Sequence, residues 1–358
     1  MGELFKDMLG SEESLFKNEV ALNFDFQPKL IPFREIHQKT IASCIKPLFQ
    51  KRNGKNLFIH GMPGVGKTVA CKHVLQELEE QTDEIITLYI NCWKKNTSYK
   101  IILEICDIIG YKLTHNKKSE ELFKIIKDVL NKKQVVFVFD EIDKMEDFDF
   151  IYSILEDIYR KTIILITNYK EWMLTLEQRI RSRLTPTTLE FKPYTAKETK
   201  EILRQRLEYA FVPNVFENNA FNLIADKTYE LKDIRCGLHL MKESALIAED
   251  KSSRKITLEH AKEALTKLDE FSVKNDTDLD SDMRFILQLI KKNSGLKIGE
   301  LHKIYKEAGG ESAYRTFQRK ITKLEEDKFI TVSKTEGGKL GNTSIINFGS
   351  TTKKLTEF

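Results

Sequence analysis

The residues with the clearest chemical potential lie in one short stretch, 61–68, which reads Gly-Met-Pro-Gly-Val-Gly-Lys-Thr. Two glycines separated by four residues and followed by lysine and a hydroxyl residue form the phosphate-loop pattern. The glycines let the backbone wrap around a phosphate, Lys67 supplies a positive charge for the β- and γ-phosphates, and Thr68 offers a hydroxyl to Mg²⁺. The alternative is a glycine-rich turn without a ligand. The predicted nucleotide contacts are Pro63, Gly64, Val65, Gly66, Lys67, Thr68 and Val69.

Two carboxylates follow a predicted buried strand further along the chain. Residues 135–139 are all apolar and are followed by Asp140 and Glu141. This pattern is typical of a central parallel strand whose carboxyl end meets a ligand. We expect Asp140 to hold Mg²⁺ through its water shell and Glu141 to orient or deprotonate an attacking water. Many buried strands end at acids, but this one lies downstream of a phosphate loop in an alternating strand and helix pattern, which favours the catalytic interpretation.

Polar residues after the next strand add two further expectations. Asn168 ends a predicted strand at 162–168, where its amide could contact a γ-phosphate or the lytic water; the alternative is a turn asparagine. Arginines stand at three alternate positions, Arg179, Arg181 and Arg183. One of them could act across a subunit boundary as an arginine finger, whose charge stabilises the transition state of phosphoryl transfer. The others could be solvated.

The elements that must position these residues alternate between strand and helix. An apolar strand at 56–60 precedes the loop, and residues 69–80 follow it with helical periodicity. Further strands are predicted at 85–91, 135–139, 162–168 and 188–191, with helices at 99–109, 120–130 and 151–159. This alternation predicts an α/β fold with a parallel sheet. From residue 193 to about 268 only helices are predicted, opening with a capping box at Thr195 and Glu198, and these are expected to form a lid.

The C-terminal part has the pattern of a winged helix-turn-helix. Helices at 283–292, 298–308 and 313–327 precede two strands, 329–333 and 343–348, around a glycine-rich tip. The predicted domains are an arm at 1–20, the α/β domain at 21–192, the lid at 193–270, a linker at 271–281 and the winged helix at 282–350.

Charge and periodicity indicate what the third of these helices could do. Residues 281–358 hold 15 Lys and Arg against 9 Asp and Glu, a net charge of +6 in a chain of +4. The periodicity predicts that Tyr314, Phe317, Ile321 and Leu324 are buried and that the opposite side faces outward. Arginine and glutamine on a helix suit a DNA major groove. The alternative is a charged solvent face, as in winged helices that bind only proteins. The predicted DNA contacts are Arg315, Gln318, Arg319 and, in the wing tip, Lys339.

A basic and aromatic stretch at 93–100 follows the second predicted strand. It ends in a helix N-cap signal at Thr97 or Ser98. From the pattern alone a solvated loop is the favoured interpretation.

The composition excludes several protein classes. The chain has 358 residues, 41% of them hydrophobic and 31% charged, which suits two or three globular domains. No apolar run is long enough to span a bilayer, and the chain start lacks a basic region followed by an apolar segment, so we expect a cytoplasmic protein with no membrane partner. The five cysteines are scattered without a Cys-x-x-Cys pair and are expected to be reduced.

Together these residues resemble a known family. The phosphate loop, Asp140-Glu141, Asn168, Ser182-Arg183-Leu184, Pro193-Tyr194-Thr195 and Asp233-Ile234-Arg235 look like the Walker A, Walker B, sensor 1, arginine-finger, box VII and sensor 2 elements of AAA+ ATPases. Leu15-Phe16-Lys17-Asn18, Pro32-Phe33-Arg34-Glu35, Tyr89-Ile90-Asn91-Cys92 and the winged helix resemble archaeal replication initiators of the origin-recognition and cell-division-cycle-six type. The likeness runs from about residue 15 to about residue 348.

The resemblance implies roles for residues that the patterns leave open. ATP or ADP would bind between the α/β domain and the lid, with Tyr194, Arg206 and Arg235 contacting it from the lid side. Arg183 would be the finger presented to a neighbour's nucleotide. The stretch at 93–100 lies where initiators carry a helical insertion that touches DNA, which makes Lys94, Lys95 and Asn96 expected DNA contacts. Two departures from the family are Lys232, where glycine is usual, and Cys236-Gly237, where helix formers are common.

These expectations combine into one functional hypothesis. The chain would be an ATP-dependent DNA-binding protein that recognises double-stranded DNA at replication origins and initiates replication. The nucleotide would serve as a switch with slow hydrolysis, and the replicative helicase and paralogous initiators are possible partners. The alternative is a winged-helix NTPase that regulates transcription. A machine like a clamp loader, acting mainly on proteins, is disfavoured by the C-terminal winged helix.

Overall fold

The computed structural model describes residues 14–274, 281–310, 312–326, 330–335 and 343–348. These residues form two compact units. One comprises residues 14–215 and 221–242, and the other comprises residues 216–220 and the described residues from 243 onward.

A five-stranded parallel sheet forms the centre of the first unit. Its strands are β1 (Leu57–Gly61), β2 (Ile85–Asn91), β3 (Gln134–Asp140), β4 (Lys161–Thr167) and β5 (Thr187–Phe191). They lie in the order β2-β3-β4-β1-β5, and every neighbouring pair is parallel. In β3, Val135, Phe137 and Phe139 face one core, whereas Val136 and Val138 face the other. Because both faces are covered, the strand reads as one continuous apolar run.

Helices cover both faces of this sheet. They are α1 (Glu35–Ile45), α2 (Lys67–Gln81), α3 (Ser98–Ile108), α4 (Ser119–Leu130), α5 (Asp149–Asp157) and α6 (Gln178–Leu184). Apolar residues of α1 and α2 pack in one core, and those of α3 to α6 pack in the other. Parallel strands end at the same edge, and β4 lies between β1 and β3. The order therefore brings the phosphate loop, Asn168 and Asp140 to one edge of the sheet.

Helices also follow the sheet, as predicted. They are α7 (Ala196–Ala210), α8 (Asn218–Leu231), α9 (Ile234–Asp250) and α10 (Leu258–Lys274). The predicted capping box is present at the start of α7, where Thr195 Oγ1 accepts a hydrogen bond from Glu198 N and the Glu198 carboxylate accepts one from Thr195 N. Within the described part of the chain, no helix combines the length and apolar character that a bilayer crossing requires.

The C-terminal elements surround a separate small core in the second unit. They are α11 (Ser281–Lys292), β6 (Leu296–Lys297), α12 (Ile298–Glu307), α13 (Tyr314–Glu326), β7 (Ile330–Thr335) and β8 (Thr343–Phe348). The strands form an antiparallel sheet in the order β6-β8-β7. Three helices with such a sheet make the winged helix-turn-helix that the sequence predicts; the two-residue β6 has too short a pattern to be predicted.

One residue of the predicted buried face of α13 is exposed in the structure. Phe317, Ile321 and Leu324 are buried as predicted, but the prediction for Tyr314 is wrong because 40% of it is exposed. It is the first residue of α13, and its ring stands edge-on to His302, with 5.1 Å between the ring centroids. A residue at a helix end has neighbours on one side only, so periodicity overestimates its burial. The wing tip, including Lys339, lies outside the described residues.

Candidate nucleotide-binding site and nucleic-acid contacts

The phosphate loop joins the carboxyl end of β1 to the amino end of α2, and its backbone is closely approached from two sides. Gly64 and Gly66 have φ angles of 74° and 86°, which favour glycine. A Cβ at Gly64 would overlap the Asp233 carboxylate, and one at Gly66 would lie 2.8 Å from the Tyr194 hydroxyl oxygen. The glycines therefore allow both the turn and the close approach of Asp233 and Tyr194.

The side chain of Lys67, the first residue of α2, is held in place by three hydrogen bonds. Its Nζ donates to the carbonyl oxygens of Gly61 at 2.7 Å and Met62 at 2.9 Å, and to Asn168 Oδ1 at 2.8 Å. Burial lowers the pKa of Lys67 to about 8, although the nearby Asp140 carboxylate opposes this shift. The structure thus brings together two residues that the sequence assigned to phosphate contacts.

Thr68 and Asp140, the two predicted metal residues, are in direct contact. Thr68 Oγ1 donates to Asp140 Oδ2 at 2.6 Å, and the Tyr89 hydroxyl donates to the same oxygen at 2.7 Å. Asp140 Oδ1 accepts a hydrogen bond from Glu141 N at 2.9 Å. Sequence reasoning did not assign Tyr89 to the site; the available signal is a hydroxyl-bearing residue on β2, the strand beside β3.

The oxygen donors at this position suit Mg²⁺. A hydroxyl and a carboxylate are hard ligands, and Mg²⁺ is usually held by one or two such groups together with substrate phosphates and water. Among the described residues, no group of three or more His, Cys, Asp or Glu is placed to hold a metal without such help. Thr68 and Asp140 are therefore a fitting but partial donor set.

Glu141 follows Asp140 in a left-handed conformation, with a φ angle of 55°. Burial and then the neighbouring Asp140 carboxylate raise its pKa above the ordinary value for glutamate. A raised pKa makes a carboxylate a better proton acceptor near neutral pH. Thr167 Oγ1, at the end of β4, donates to Asp143 Oδ1 at 2.7 Å, which links β4 to the turn that follows β3.

The start of α9 approaches the loop from the other side. Asp233 Oδ1 accepts hydrogen bonds from Arg235 N at 3.0 Å and Arg235 Nε at 3.2 Å. The positive charge of Arg235 contributes to lowering the pKa of Lys67 and partly offsets the raised pKa of Glu141; in both cases burial has the larger effect. Arg235 therefore belongs to the same electrostatic site. Lys232 has a φ angle of 56°, a left-handed conformation that favours glycine.

Gly237, at a position where the resemblance predicts a helix former, lies in a closely packed part of helix α9. Helix α9 runs without interruption from Ile234 to Asp250 through Gly237. A Cβ at Gly237 would overlap Thr228 Oγ1 and lie 2.8 Å from a Leu203 methyl carbon. Glycine here lets α9 approach α7 and α8 closely.

The two remaining lid-side residues have different surroundings. Tyr194 lies beside Gly66, and burial raises the pKa of its hydroxyl. Arg206 is buried, donates to the carbonyl oxygens of Ala21 at 3.0 Å and Phe26 at 3.2 Å, and lies over the Phe26 ring. Burial lowers the pKa of Arg206 to about 10. Arg206 thus anchors the N-terminal segment.

The predicted arginine finger contacts α5 within its own chain. Arg183 forms an ion pair with Glu156, and its guanidinium lies 5.1 Å from the centre of the Tyr152 ring. Arg179 lies 5.0 Å from the same ring and pairs with Asp149 at 3.2 Å.

The basic stretch after β2 forms a turn leading into α3, capped by the Thr97 side chain. Lys94 is exposed. Lys95 Nζ pairs with Glu104 at 2.6 Å, and Asn96 Nδ2 donates to Glu146 Oε1 at 2.5 Å. Of the three predicted DNA contacts here, two therefore have partners on the protein and one faces solvent.

Helix α13 presents a polar face opposite its buried one. Arg315, Gln318 and Arg319 are exposed. Lys320 Nζ donates to Asp282 Oδ2 at 2.9 Å, which ties α13 to α11. The exposed face therefore holds the residue types that bind base edges and phosphates.

Comparisons with known proteins match nearly the whole chain. Residues 50–171 match the model of an AAA domain, and residues 200–266 match that of a Cdc6 AAA+ ATPase-type lid domain. The chain is 28% identical to ORC1-type DNA replication protein 1 of Sulfurisphaera tokodaii, over 97% of this chain and 94% of that protein.

Solved structures with the same fold include two from Aeropyrum pernix. One is the ORC1 protein in complex with DNA, with a TM-score of 0.71, 25% identity, and coverage of 95% of this chain and 94% of that chain. The other is the ORC2 protein in ADPNP-ADP complexes, with a TM-score of 0.65, 16% identity, and coverage of 96% and 97%. At that identity the second likeness shows the fold alone.

Proposed function

The chain belongs to the Orc1/Cdc6 family of AAA+ ATPases, and from this premise we propose that it is an ATP-dependent DNA-binding protein that recognises replication origins and initiates DNA replication. The observation that carries the proposal is the presence in one chain of a phosphate loop, hydrogen-bonded to Asn168 and Asp140, and of a winged helix whose exposed helix face is basic. The chain matches the ORC1-type DNA replication protein 1 of Sulfurisphaera tokodaii over 94% of that protein, which supports extending its role to this chain.

ATP or ADP is the proposed ligand of the phosphate loop. The Lys67 ammonium neutralises the β- and γ-phosphates, and Asn168, already bonded to Lys67, reports the presence of the γ-phosphate. Thr68 and Asp140 would hold Mg²⁺, which supplies charge neutralisation to the phosphates when bound. Glu141 orients and deprotonates the attacking water, and Arg235 connects the phosphates to the lid helices.

Slow hydrolysis is part of this proposal. An arginine finger contributes a large share of the rate in related NTPases and is often supplied by a neighbouring subunit. Here Arg183 pairs with Glu156 of its own chain. If the finger is supplied only by a neighbouring chain, an isolated chain hydrolyses ATP slowly, and the bound nucleotide can then serve as a switch.

DNA binding is assigned to α13 and to the turn after β2. Arg315, Gln318 and Arg319 are suited to a major groove, and Lys94 offers a further phosphate contact. Recruitment of the replicative helicase, and cooperation with paralogous initiators, complete the proposed role.

Recovery of genomic DNA tests the proposal. The ATP-loaded protein is mixed with fragmented DNA from its own organism, and bound fragments are sequenced. We expect a few discrete peaks in one or two intergenic regions, and we expect these peaks to be lost with Lys67→Ala. Dozens of promoter peaks would favour transcriptional regulation instead, and no enrichment over random fragments would assign the winged helix to a protein partner.

A further inference from the structure

Arg34 is an almost fully buried arginine that lies just before α1 and has no role in the site described so far. Its relative exposure is 5%. Burying a guanidinium is costly unless its donors are hydrogen-bonded, so its surroundings indicate what it stabilises.

Two carbonyl groups from distant parts of the chain accept hydrogen bonds from Arg34. Arg34 Nε donates to Val65 O at 3.1 Å, and Arg34 Nη2 donates to Lys192 O at 2.7 Å. Val65 belongs to the phosphate loop. Lys192 belongs to the short connection between β5 and α7, residues 192–195, which joins the sheet to the lid helices and is called the hinge below. One side chain therefore joins the loop to the hinge.

The face of the same guanidinium covers a tyrosine of the hinge. Its central carbon lies 4.0 Å from the centre of the Tyr194 ring. The Tyr194 hydroxyl in turn lies against Gly66. Arg34, Tyr194 and the phosphate loop therefore form a closed set of contacts. A planar guanidinium can stack its face on a ring while its in-plane N–H groups donate to two carbonyls, an arrangement that the compact ammonium of lysine reproduces poorly.

The bond to Val65 has a direct consequence for phosphate binding. In a trans peptide the C=O and the following N–H point in opposite directions, and the described residues contain no cis peptide. Because Arg34 holds the Val65 carbonyl towards itself, the Gly66 N–H of the same peptide points away from Arg34. Loop N–H groups are what a phosphate-loop site uses to cradle phosphates.

We propose that Arg34 is a positioning residue that orients the Val65–Gly66 peptide for phosphate binding and couples the loop to the hinge through Lys192 and Tyr194. Arg34 thereby sets the affinity for nucleoside diphosphates and triphosphates and transmits occupancy of the loop to the lid helices. This inference rests on the proposed nucleotide-binding function.

The test compares ADP binding by the full chain carrying Arg34→Met, Arg34→Lys or the control Arg204→Met. Arg204 also lies over an aromatic ring, that of Phe221, but within the lid helices. We expect Arg34→Met to raise the Kd for ADP by at least about tenfold. Arg34→Lys should fall between Arg34→Met and wild type, and Arg204→Met should match wild type. The Tm without nucleotide is measured for each variant.

Two further readouts separate positioning from general destabilisation. A double-mutant cycle with Tyr194→Leu should be strongly non-additive for the Kd, because both side chains act on the same peptide. Hydrogen exchange of a peptide spanning residues 190–198 should slow when ADP binds wild type, and the slowing should be lost in Arg34→Met.

The outcomes distinguish the inference from its premise. If wild type binds ADP and Arg34→Met binds it with the same Kd, or if the cycle with Tyr194→Leu is additive, the inference is overturned while the proposed function stands. If wild type itself fails to bind ADP, the proposed function is overturned as well.

Discussion

The ammonium group of Lys67 is surrounded by three oxygen acceptors, two from the loop backbone and one from Asn168. This arrangement fixes the charge in place although burial disfavours it. Replacing Lys67 with alanine removes the charge that we propose binds the phosphates and leaves Asn168 Oδ1 without this donor. Lys67→Ala should raise the Kd for ATP by at least about tenfold, as measured by calorimetry. Lys39→Ala, an exposed lysine on α1, is the control and should bind as wild type does; equal weakening by both changes would contradict the assigned role.

The lowered pKa of Lys67 predicts a pH dependence of binding. The pKa in the free protein is about 8, and phosphates favour the protonated form, so the complex has a higher pKa. Below pH 8 the lysine is charged and affinity is at its maximum; above pH 8 binding must take up a proton. The Kd for ADP should therefore rise by about tenfold from pH 7 to pH 9. Lys67→Arg should show a flat profile over this range, and a flat wild-type profile would disprove the assignment.

The sequence predicted the site residues that belong to local motifs. It did not predict the roles of Tyr89 and Arg34, which reach the site through contacts between distant parts of the chain. Lys67, Thr68, Asp140 and Asn168 were predicted because loop and strand-end patterns mark them, and Lys67–Asn168 and Thr68–Asp140 are hydrogen-bonded pairs. Tyr89 lies 51 residues from Asp140, and Arg34 lies 158 residues from Lys192. No local pattern encodes such contacts, because they depend on strand order and on the path of the hinge.

At the scale of elements, strand identity was easier to predict than strand order. Buried strands such as β3 read as continuous apolar runs, whereas the insertion of β4 between β1 and β3 is a tertiary choice. In helix α9, local propensity and tertiary packing favour different residues at one position. Gly237 reads as a weak point by helix propensity, yet the packing of α9 against Leu203 and Thr228 requires it.

The packing of α9 predicts opposite effects for two glycine substitutions. Glycine to alanine within a helix is ordinarily stabilising by up to about 1 kcal/mol. At Gly237 the new methyl group would overlap Thr228 and Leu203, so Gly237→Ala should instead lower the free energy of unfolding by about 1–3 kcal/mol. Gly299→Ala, on α12 with open space around it, is the control and should be stabilising or neutral. Urea unfolding measures both, and equal effects would contradict the packing argument.

The capping box at the start of α7 gives a second prediction at this scale. Thr195→Ala removes the acceptor of Glu198 N and should lower the free energy of unfolding by about 1 kcal/mol. Thr195→Ser keeps the hydroxyl and should retain most of that stability. If urea unfolding finds the serine and alanine variants equally destabilised, the hydroxyl cap is not the source of the effect.

For the whole molecule, the uneven distribution of charge predicts how DNA binding responds to salt. The net charge of +4 is modest, but the C-terminal end carries the basic excess. The logarithm of the association constant for DNA should fall linearly with the logarithm of the salt concentration. Arg315→Ala or Arg319→Ala should each make the slope of this line about 1 less steep if that arginine contacts a phosphate. Lys197→Ala, an exposed lysine in α7, is the control and should leave the slope unchanged. A wild-type affinity that does not depend on salt would contradict the assigned interface.

The measurement that tests the central claim most directly is the affinity of the full chain for a recovered origin fragment with ATP, with ADP and without nucleotide. A nucleotide switch requires that the ligand change DNA affinity, by about 5- to 150-fold for typical coupling energies. We predict a difference of this size in DNA affinity between the ATP and ADP states of wild type, and its loss in Lys67→Ala. Equal DNA affinity in all three states of a wild-type protein that binds nucleotide would contradict it.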